Sequence, residues 1–339
     1  MNIGSIENAF YSGAVNPILR RLIHNIDEFC PEDGSLVINS LKAFLGEKIE
    51  LCNRCRKICE GLALPFYEVS SILLHMDRGF MRRQFIQDKY RGAWLKGFAL
   101  TMKGVGKYGV QIPFTPAGPF EVVWNFTYKC NLRCKHCYEN AGHRREELST
   151  DDAKRVVDIL SRIANIGIPA ISFSGGEPLM REDFFEVASY ARGKIPYISL
   201  ATNGTMISRD IAAKLKDVGV EYVEISIDGA SAEKHDWFRG VPGAFDRAVE
   251  GAHNCIREGI DTCVASVIHR ENFDEMEKII ELAGEIDARF MHFNYVPTGR
   301  AKVHLELDLT PKERLHVLET IGSKILDLYL KSKEEELKL

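Results

Sequence analysis

No run of apolar residues in this chain approaches the ~18 that a membrane-spanning helix needs, so no transmembrane segment is expected. Charge of one sign is not in excess either. The 44 Lys and Arg residues against 48 Asp and Glu leave a formal net charge of −4 and a pI of about 6.2. That balance gives no global attraction to nucleic acid or to an anionic membrane. The first residues lack the basic start, apolar run and small-residue cleavage site of a secretory signal, so a cytoplasmic location is expected. There is no internal repeat and no low-complexity tract. A disulfide framework is not expected, because nine is an odd number of cysteines and they are clustered. Cys52, Cys55 and Cys59 form one group, Cys130, Cys134 and Cys137 a second, and Cys255 and Cys263 a third, while Cys30 stands apart. Clustered thiols in a reducing compartment suggest metal.

What is present is ordinary globular material, 45% hydrophobic and 27% charged over 339 residues, enough for one large domain with an appendage or for two domains. Its character changes near residue 118. Before that point NPILRRLI, SLVINSLKAFLG and YEVSSILLHM carry apolar residues at helical spacing, without strand alternation. Residues 1–110 are expected to form a helical domain, and the Gly- and Pro-rich KGVGKYGVQIPFTPAGP supplies a linker over 111–119. After it, EVVWNFTY, AISFSG, YISLATN, YVEISIDG, TCVASVIH and FMHFNYV read as short strands. Helical segments lie between them, several closed by a capping glycine (Gly167, Gly219, Gly259). Strands alternating with helices predict βαβ units and a parallel sheet. The expected fold is α/β: a partial (β/α)6 TIM-like barrel over 120–300, preceded by the helical domain and followed by a C-terminal helix and tail over 301–339. In such folds the site lies at the carboxyl ends of the strands.

Directly after the first strand comes WNFTYKCNLRCKHCYENAG, in which Cys130, Cys134 and Cys137 make C-x3-C-x2-C. Thiolates are preferred ligands of iron–sulfur clusters and of zinc. Three protein ligands on a 4Fe–4S cluster leave one iron open, as catalytic zinc sites keep an open position. A zinc site completed by His136 or a distant residue is the competing reading, although zinc motifs usually repeat C-x2-C pairs or add spaced histidines. Further strand ends carry FSGGEP (Phe173–Pro178), TNG (Thr202–Gly204) and SIDG (Ser226–Gly229). Gly175 and Gly176 allow close backbone approach to a ligand, and Glu177 suits an ammonium group. The plain alternatives are a tight turn with a solvent-facing glutamate, and the common Asn-Gly and Asp-Gly turn pairs. Arg239 is either a ligand of a carboxylate or an exposed loop arginine.

Four motifs in this order, each at a strand end, resemble the radical S-adenosylmethionine (SAM) superfamily over about residues 120–300. HDWFRGVPGAF and VPTGR (Val296–Arg300) resemble the branch that often carries a cysteine-rich SPASM extension. The resemblance implies that Cys130, Cys134 and Cys137 bind a 4Fe–4S cluster, with His136 beside the adenine of SAM. It implies further that Gly175, Gly176 and Glu177 hold the methionyl amine, that Asn203 and Ser226 touch the ribose, and that Arg239 meets the SAM carboxylate or the substrate. It also implies anaerobic chemistry: reductive cleavage of SAM to a 5′-deoxyadenosyl radical that abstracts hydrogen from an unactivated carbon. A ferredoxin- or flavodoxin-like reductant is the implied partner. Peptide or protein modification and cofactor maturation are the implied outcomes. No cysteine follows Cys263, so a SPASM-type cluster is either absent or lost by truncation.

Two features fall outside this pattern. ELCNRCRKICEGL places Cys52, Cys55 and Cys59 on one helical face with Leu51, Ile58 and Leu62, which suits either a packed core or, with Cys30 nearby in sequence, a second metal site. Between Arg78 and Lys107 eight Lys or Arg residues face only Asp88 and are interleaved with aromatics. An amphipathic helix with a solvated basic face explains them. The alternatives are peripheral membrane docking, which would suit a lipid substrate, or an acidic partner. From other classes, a structural zinc module or an iron–sulfur electron carrier would account for Cys130–Cys137 without turnover. Cys255 and Cys263 read as core.

Overall fold

The apolar runs after residue 118 become six strands of one sheet in the computed structural model, which describes residues 17–26, 29–73, 77–109, 115–143 and 145–336. These are β3 (Glu121–Thr127), β4 (Ala170–Gly175), β5 (Tyr197–Thr202), β6 (Tyr222–Ser226), β7 (Asp261–Ile268) and β8 (Arg289–Asn294), lying side by side in chain order. β5 to β8 pair in parallel, with Thr202 opposite Ile225, Ser226 opposite Ala265 and Ile268 opposite Asn294. β3 and β8 stand at the two ends of that order, so the sheet is the open, partial (β/α)6 barrel that the sequence predicts. Strands β4, β5 and β7 are buried as runs, whereas β6 alternates and β3 and β8, at the two ends of the order, stay largely open. In β4 the residues Ile171 to Ser174 are all inside, as expected when helices cover both faces of a parallel sheet.

The helices between strands are α7 (Thr150–Leu160), α8 (Phe184–Arg192), α9 (Arg209–Asp217), α10 (Ala232–Arg239), α11 (Ala244–Arg257) and α12 (Met276–Ile286); α13 (Pro311–Glu336) follows β8. Local chemistry sets their ends. Ser208 caps α9 by accepting from the Ile211 N–H at 3.3 Å, and Gly219 just beyond it takes the left-handed conformation. The sequence reading assigned HDWFRG to no element. It is the body of α10, whose polar composition hides the helix from a search for apolar periodicity.

The N-terminal segment is helical: α1 (Pro17–Ile26), α2 (Leu36–Phe44), α3 (Asn53–Ile58), α4 (Leu64–Leu73), α5 (Arg78–Arg82) and α6 (Arg91–Tyr108). Val37, Leu41, Phe44, Tyr67, Leu95 and Leu100 form the centre of its core. Two details depart from the sequence reading. A hairpin of two-residue strands, β1 (Phe29–Cys30) and β2 (Gly34–Ser35), interrupts the helices. The residues KGVGKY complete α6 rather than beginning the linker, and of the linker expected over 111–119, residues 111–114 lie outside the described residues, as does 110. Part of the basic stretch is spent internally. Arg78 and Arg82 donate to the carbonyls of Phe44 and Leu45, which the end of α2 leaves without helical partners. The Lys96 ammonium donates to the Lys194 carbonyl at 3.3 Å. No helix among the described residues is long and apolar enough to cross a membrane.

The chain divides into two compact units, one of residues 1–122, 150–171 and 190–197, the other of residues 123–149, 172–189 and 198–339. The second contains the carboxyl ends of all six strands of the sheet, and with them every motif singled out in the preceding section after residue 122.

Candidate active site

The cysteine loop leaves β3 at Tyr128. Cys130, Cys134 and Cys137 share one small apolar cluster with Leu132, Val241 and Ala244. Each sulfur already receives a hydrogen bond: Cys130 from the Leu132 N–H at 3.4 Å, Cys137 from the Ala141 N–H at 3.3 Å, and Cys134 from the Arg239 guanidinium at 3.7 Å. Donors aimed at sulfur stabilise thiolate character, which a metal or cluster ligand needs. Burial pushes the Cys130 thiol up to about 11 and raises Cys134, against which Arg239 acts. Without a cation these thiols hold their protons; a bound metal would displace them.

Three segments hold this loop in place. The first is the Gly-rich turn after β4. The Gly176 N–H donates to the Thr127 carbonyl at 2.7 Å and the Glu177 N–H to the Lys129 carbonyl at 2.8 Å. A Cβ at Gly176 would overlap the Lys129 carbonyl, so only glycine permits the approach; Gly175, with φ of +119°, meets the Thr127 carbonyl in the same way. The close approach made here is to the chain's own backbone, one residue before Cys130.

The second segment is the end of α10. The N–H groups of Arg133 and Lys135 donate to the carbonyls of Arg239 (3.0 Å) and Phe238 (2.9 Å). Gly240 closes the helix with φ of +75°, and a Cβ there would collide with the Arg133 carbonyl. The third is Arg300 of the VPTGR motif, from beyond β8. Its N–H donates to the Cys137 carbonyl at 3.0 Å, and its guanidinium to the Cys134 carbonyl at 2.9 Å and the Ala141 carbonyl at 2.6 Å.

Arg239 corrects one sequence expectation. It is not an exposed loop arginine: it is 6% exposed at the end of α10. Its guanidinium lies 2.5 Å from the fully buried Asp228 carboxylate of the SIDG motif, with Cys134 on its other side. Asp228 also accepts from the Val267 N–H at 2.8 Å. Burial drives this carboxyl up and Arg239 pulls it back, and the pair holds the ends of β6 and β7 to the cysteine loop. A guanidinium so engaged has less to offer a ligand carboxylate.

Glu177 is held by the protein's own donors. Its carboxylate is fully buried and accepts from the Thr202 hydroxyl (2.8 Å), the Asn203 N–H (2.8 Å) and the Leu179 N–H (3.2 Å). Burial raises its pKa, with these donors opposing. It ties the turn after β4 to the end of β5, and does not face open solvent. Asn203 extends the tie, donating from Nδ2 to the Asn131 side chain at 2.8 Å. Ser226 stays half-exposed at the end of β6.

His136 stacks on Phe238 (centroids 4.3 Å apart, 6° between planes), and Phe238 stacks on His269 at 3.9 Å. The His136 Nδ1 is buried and without a hydrogen-bond partner, and burial lowers the ring well below its usual range. His235 and His269 are pushed down to about 3, again by burial, so three neutral imidazoles stand around one guanidinium. The sequence reading named none of Asp228, His235, His269 or Arg300 as site residues. Arg300 sits in a motif it quoted, and Asp228 was set aside as half of a turn pair.

The donor set fits an iron–sulfur cluster with an organic ligand beside it. Three thiols pack together on one loop with sulfur-directed donors, a stacked His136–Phe238 pair with an unpartnered imidazole nitrogen lies on the same loop and α10, and among the described residues no fourth thiol joins the cluster.

Comparison with known proteins agrees with this geometry. A family model described as the radical SAM superfamily matches residues 124–283. The chain is 41% identical over 213 residues to the Fe-coproporphyrin III synthase of Methanosarcina barkeri, covering 62% of this chain and 52% of that protein. It is 34% identical over 209 residues to the mycofactocin maturase MftC of Mycolicibacterium smegmatis, covering 61% and 52%. Among solved structures, SuiB of Streptococcus suis bound to its precursor peptide SuiA aligns with a TM-score of 0.58 at 18% identity, covering 84% of this chain and 65% of that one. The chain spans about half the length of the curated relatives it matches. The structural likeness bears on the fold alone.

Proposed function

We propose that the chain, which the radical SAM superfamily model matches over residues 124–283, cleaves SAM reductively at a cluster held by Cys130, Cys134 and Cys137. The observation that carries the reading is the grouping of these three cysteines in one small apolar cluster just after β3, strapped by Arg300 and α10. When bound, a 4Fe–4S cluster with an open iron supplies the electron that splits SAM into methionine and a 5′-deoxyadenosyl radical.

The protein's own part is positional. The Gly175–Gly176 turn sets the height of the cysteine loop, and Glu177 fixes that turn to β5. Arg239 offsets negative charge at Cys134 while Asp228 keeps the guanidinium from turning away. His136, backed by the fully buried Phe238, has its outer ring face to offer an aromatic base, and its neutral state leaves one ring nitrogen to accept a proton-bearing donor. Gly176, Asn203 and Ser226 line the strand ends where the rest of SAM would lie. A small reductant protein of ferredoxin or flavodoxin type would deliver the electron, and a reducing compartment suits nine free thiols.

For the substrate, cofactor maturation on a tetrapyrrole precursor is favoured by the 41% identity to a protein named for an iron-coproporphyrin. Peptide modification is the second reading, favoured by the 34% identity to a mycofactocin maturase. The test is anaerobic cluster reconstitution, reduction with dithionite in the presence of SAM, and chromatography for 5′-deoxyadenosine. The nucleoside should form with the wild-type chain and vanish in Cys134→Ala. Zinc without iron would favour a structural module, and a cluster without nucleoside an electron carrier; either overturns the reading. Faster nucleoside formation with an iron–porphyrin tetracarboxylate than with peptides would support the tetrapyrrole assignment, and the reverse would replace it with the peptide one.

A further inference from the structure

A second group of metal-ligating side chains lies in the other unit, and it is not the set that the sequence suggested. Cys59 is buried in a small apolar cluster with Leu36 and Cys55, one helical turn beyond the group. Its place is taken from the opposite direction in sequence. The β1–β2 hairpin brings Cys30 and Asp33 to Cys52 and Cys55, and the three sulfurs and a carboxylate oxygen all lie within 4.8 Å of one another.

We propose that Cys30, Asp33, Cys52 and Cys55 bind a single zinc ion as a closed, structural site. Three observations carry this. The first is distance. The Cys30 and Cys52 sulfurs are 3.9 Å apart, and two thiolates on one tetrahedral ion with bonds of ~2.3 Å would be separated by ~3.8 Å. A cubane would hold its thiolates farther apart, because iron atoms and sulfides lie between them.

The second observation is spacing. Cys30-x2-Asp33-x18-Cys52-x2-Cys55 is the two-pair pattern of zinc sites, with one cysteine replaced by aspartate. The third is the arrangement that orients the ligands. The Cys52 N–H donates to the Asp33 carboxylate at 3.0 Å and the Cys55 N–H to the Cys52 sulfur at 3.5 Å. The Asn39 amide donates to the Asp33 carbonyl at 2.6 Å, fixing the turn that carries two of the ligands. Such outer bonds set ligand orientation in metal sites.

Thiolate-rich donor sets select zinc-type ions over calcium or magnesium, and four protein ligands leave no open position for catalysis. Binding would release the three thiol protons while Asp33 joins as a carboxylate. The ion's role follows from its surroundings. Strands of two residues have too few ladder hydrogen bonds to persist alone, and the ion would hold the hairpin to the start of α3. This inference does not rest on the proposed SAM chemistry.

The test uses the full chain, purified anaerobically from zinc-supplemented medium, with zinc measured by mass spectrometry. One equivalent should remain in the triple variant C130A/C134A/C137A and in Cys59→Ala, and should fall at least tenfold in C52A/C55A. Should C52A/C55A fail to fold, two wild-type measurements still decide. Co2+ added to the metal-free chain should give one equivalent of a tetrahedral cobalt–thiolate spectrum, displaced by zinc. Maleimide should label Cys30 and Cys52 only after chelation. Zinc content unchanged in C52A/C55A, labelling of both cysteines in the metal-loaded chain, or a native Cys30–Cys52 disulfide would overturn the proposal.

Discussion

Replacing Arg239 by methionine tests how the site is held together. Methionine keeps much of the side-chain volume but removes the guanidinium, leaving the Asp228 carboxylate at 0% exposure with the Val267 N–H as its donor. Breaking a buried ion pair from one side costs about 3–5 kcal/mol, because the other charge stays buried without compensation. With a urea dependence of about 2–3 kcal/mol per molar, the unfolding midpoint should fall by about 1–2.5 M. The sign with pH follows from Asp228. Burial already raises its carboxyl, and without Arg239 the folded variant binds a proton that the unfolded chain releases above pH ~4. Relative to the wild type at the same pH, stability of the variant should therefore drop as pH rises, by up to about 1.4 kcal/mol per unit until the folded-state pKa is passed. Adding Asp228→Asn should recover part of the loss, since an amide carries no charge to strand. Urea titrations followed by circular dichroism, from pH 5 to 8, read all three quantities. A midpoint within about 0.3 M of wild type, or no recovery in the double variant, would refute the reasoning.

Other perturbations probe neighbouring parts. His235 and His269 are held near 3, below their unfolded value of ~6.5, so their contribution is present above that value and is lost as pH falls toward 3. Stability should decline on acidification by up to about 1.4 kcal/mol per pH unit for each, and His269→Gln should flatten the slope in urea titrations from pH 7 to 4. Gly176→Ala places a methyl on the Lys129 carbonyl and should cost about 1–3 kcal/mol while lowering the iron retained after reconstitution. Arg300→Met removes the guanidinium donors to Cys134 and Ala141, and should speed loss of iron to a chelator several-fold with little change in circular dichroism. Glu177→Gln keeps shape but weakens the acceptor for Thr202 and Asn203. It should loosen SAM binding measured by equilibrium dialysis without removing iron.

The sheet was readable because its strands are short β-branched and aromatic runs separated by helices with strong periodicity, as AISFSG and YISLAT show. α10 was not, since AEKHDWFR has too few apolar residues to make a stripe. Its role comes from tertiary contacts of Phe238, Arg239 and Gly240 with the cysteine loop. The cysteines of the loop were visible through local spacing. Arg300, which holds the same loop from more than 160 residues away, and the Asp228–Arg239 pair depend on how strands bring distant residues together, and spacing carries no trace of that. Glu177 was read through a resemblance as an ammonium partner; its burial and its three protein donors depend on β5 and could not be read from the turn alone. The N-terminal cysteines misled for a related reason. A regular i, i+3, i+7 face favours Cys59, while the true neighbours Cys30 and Asp33 arrive on a hairpin too short to show alternation.

The central claim is that Cys130, Cys134 and Cys137 hold a cluster with one iron open to SAM. Electron paramagnetic resonance of the reconstituted, dithionite-reduced chain, recorded before and after adding SAM, tests it most directly. A reduced-cluster signal that changes shape on adding SAM, and is absent from the C130A/C134A/C137A chain, is the predicted result. A signal indifferent to SAM, or one that survives loss of the three cysteines, would contradict it.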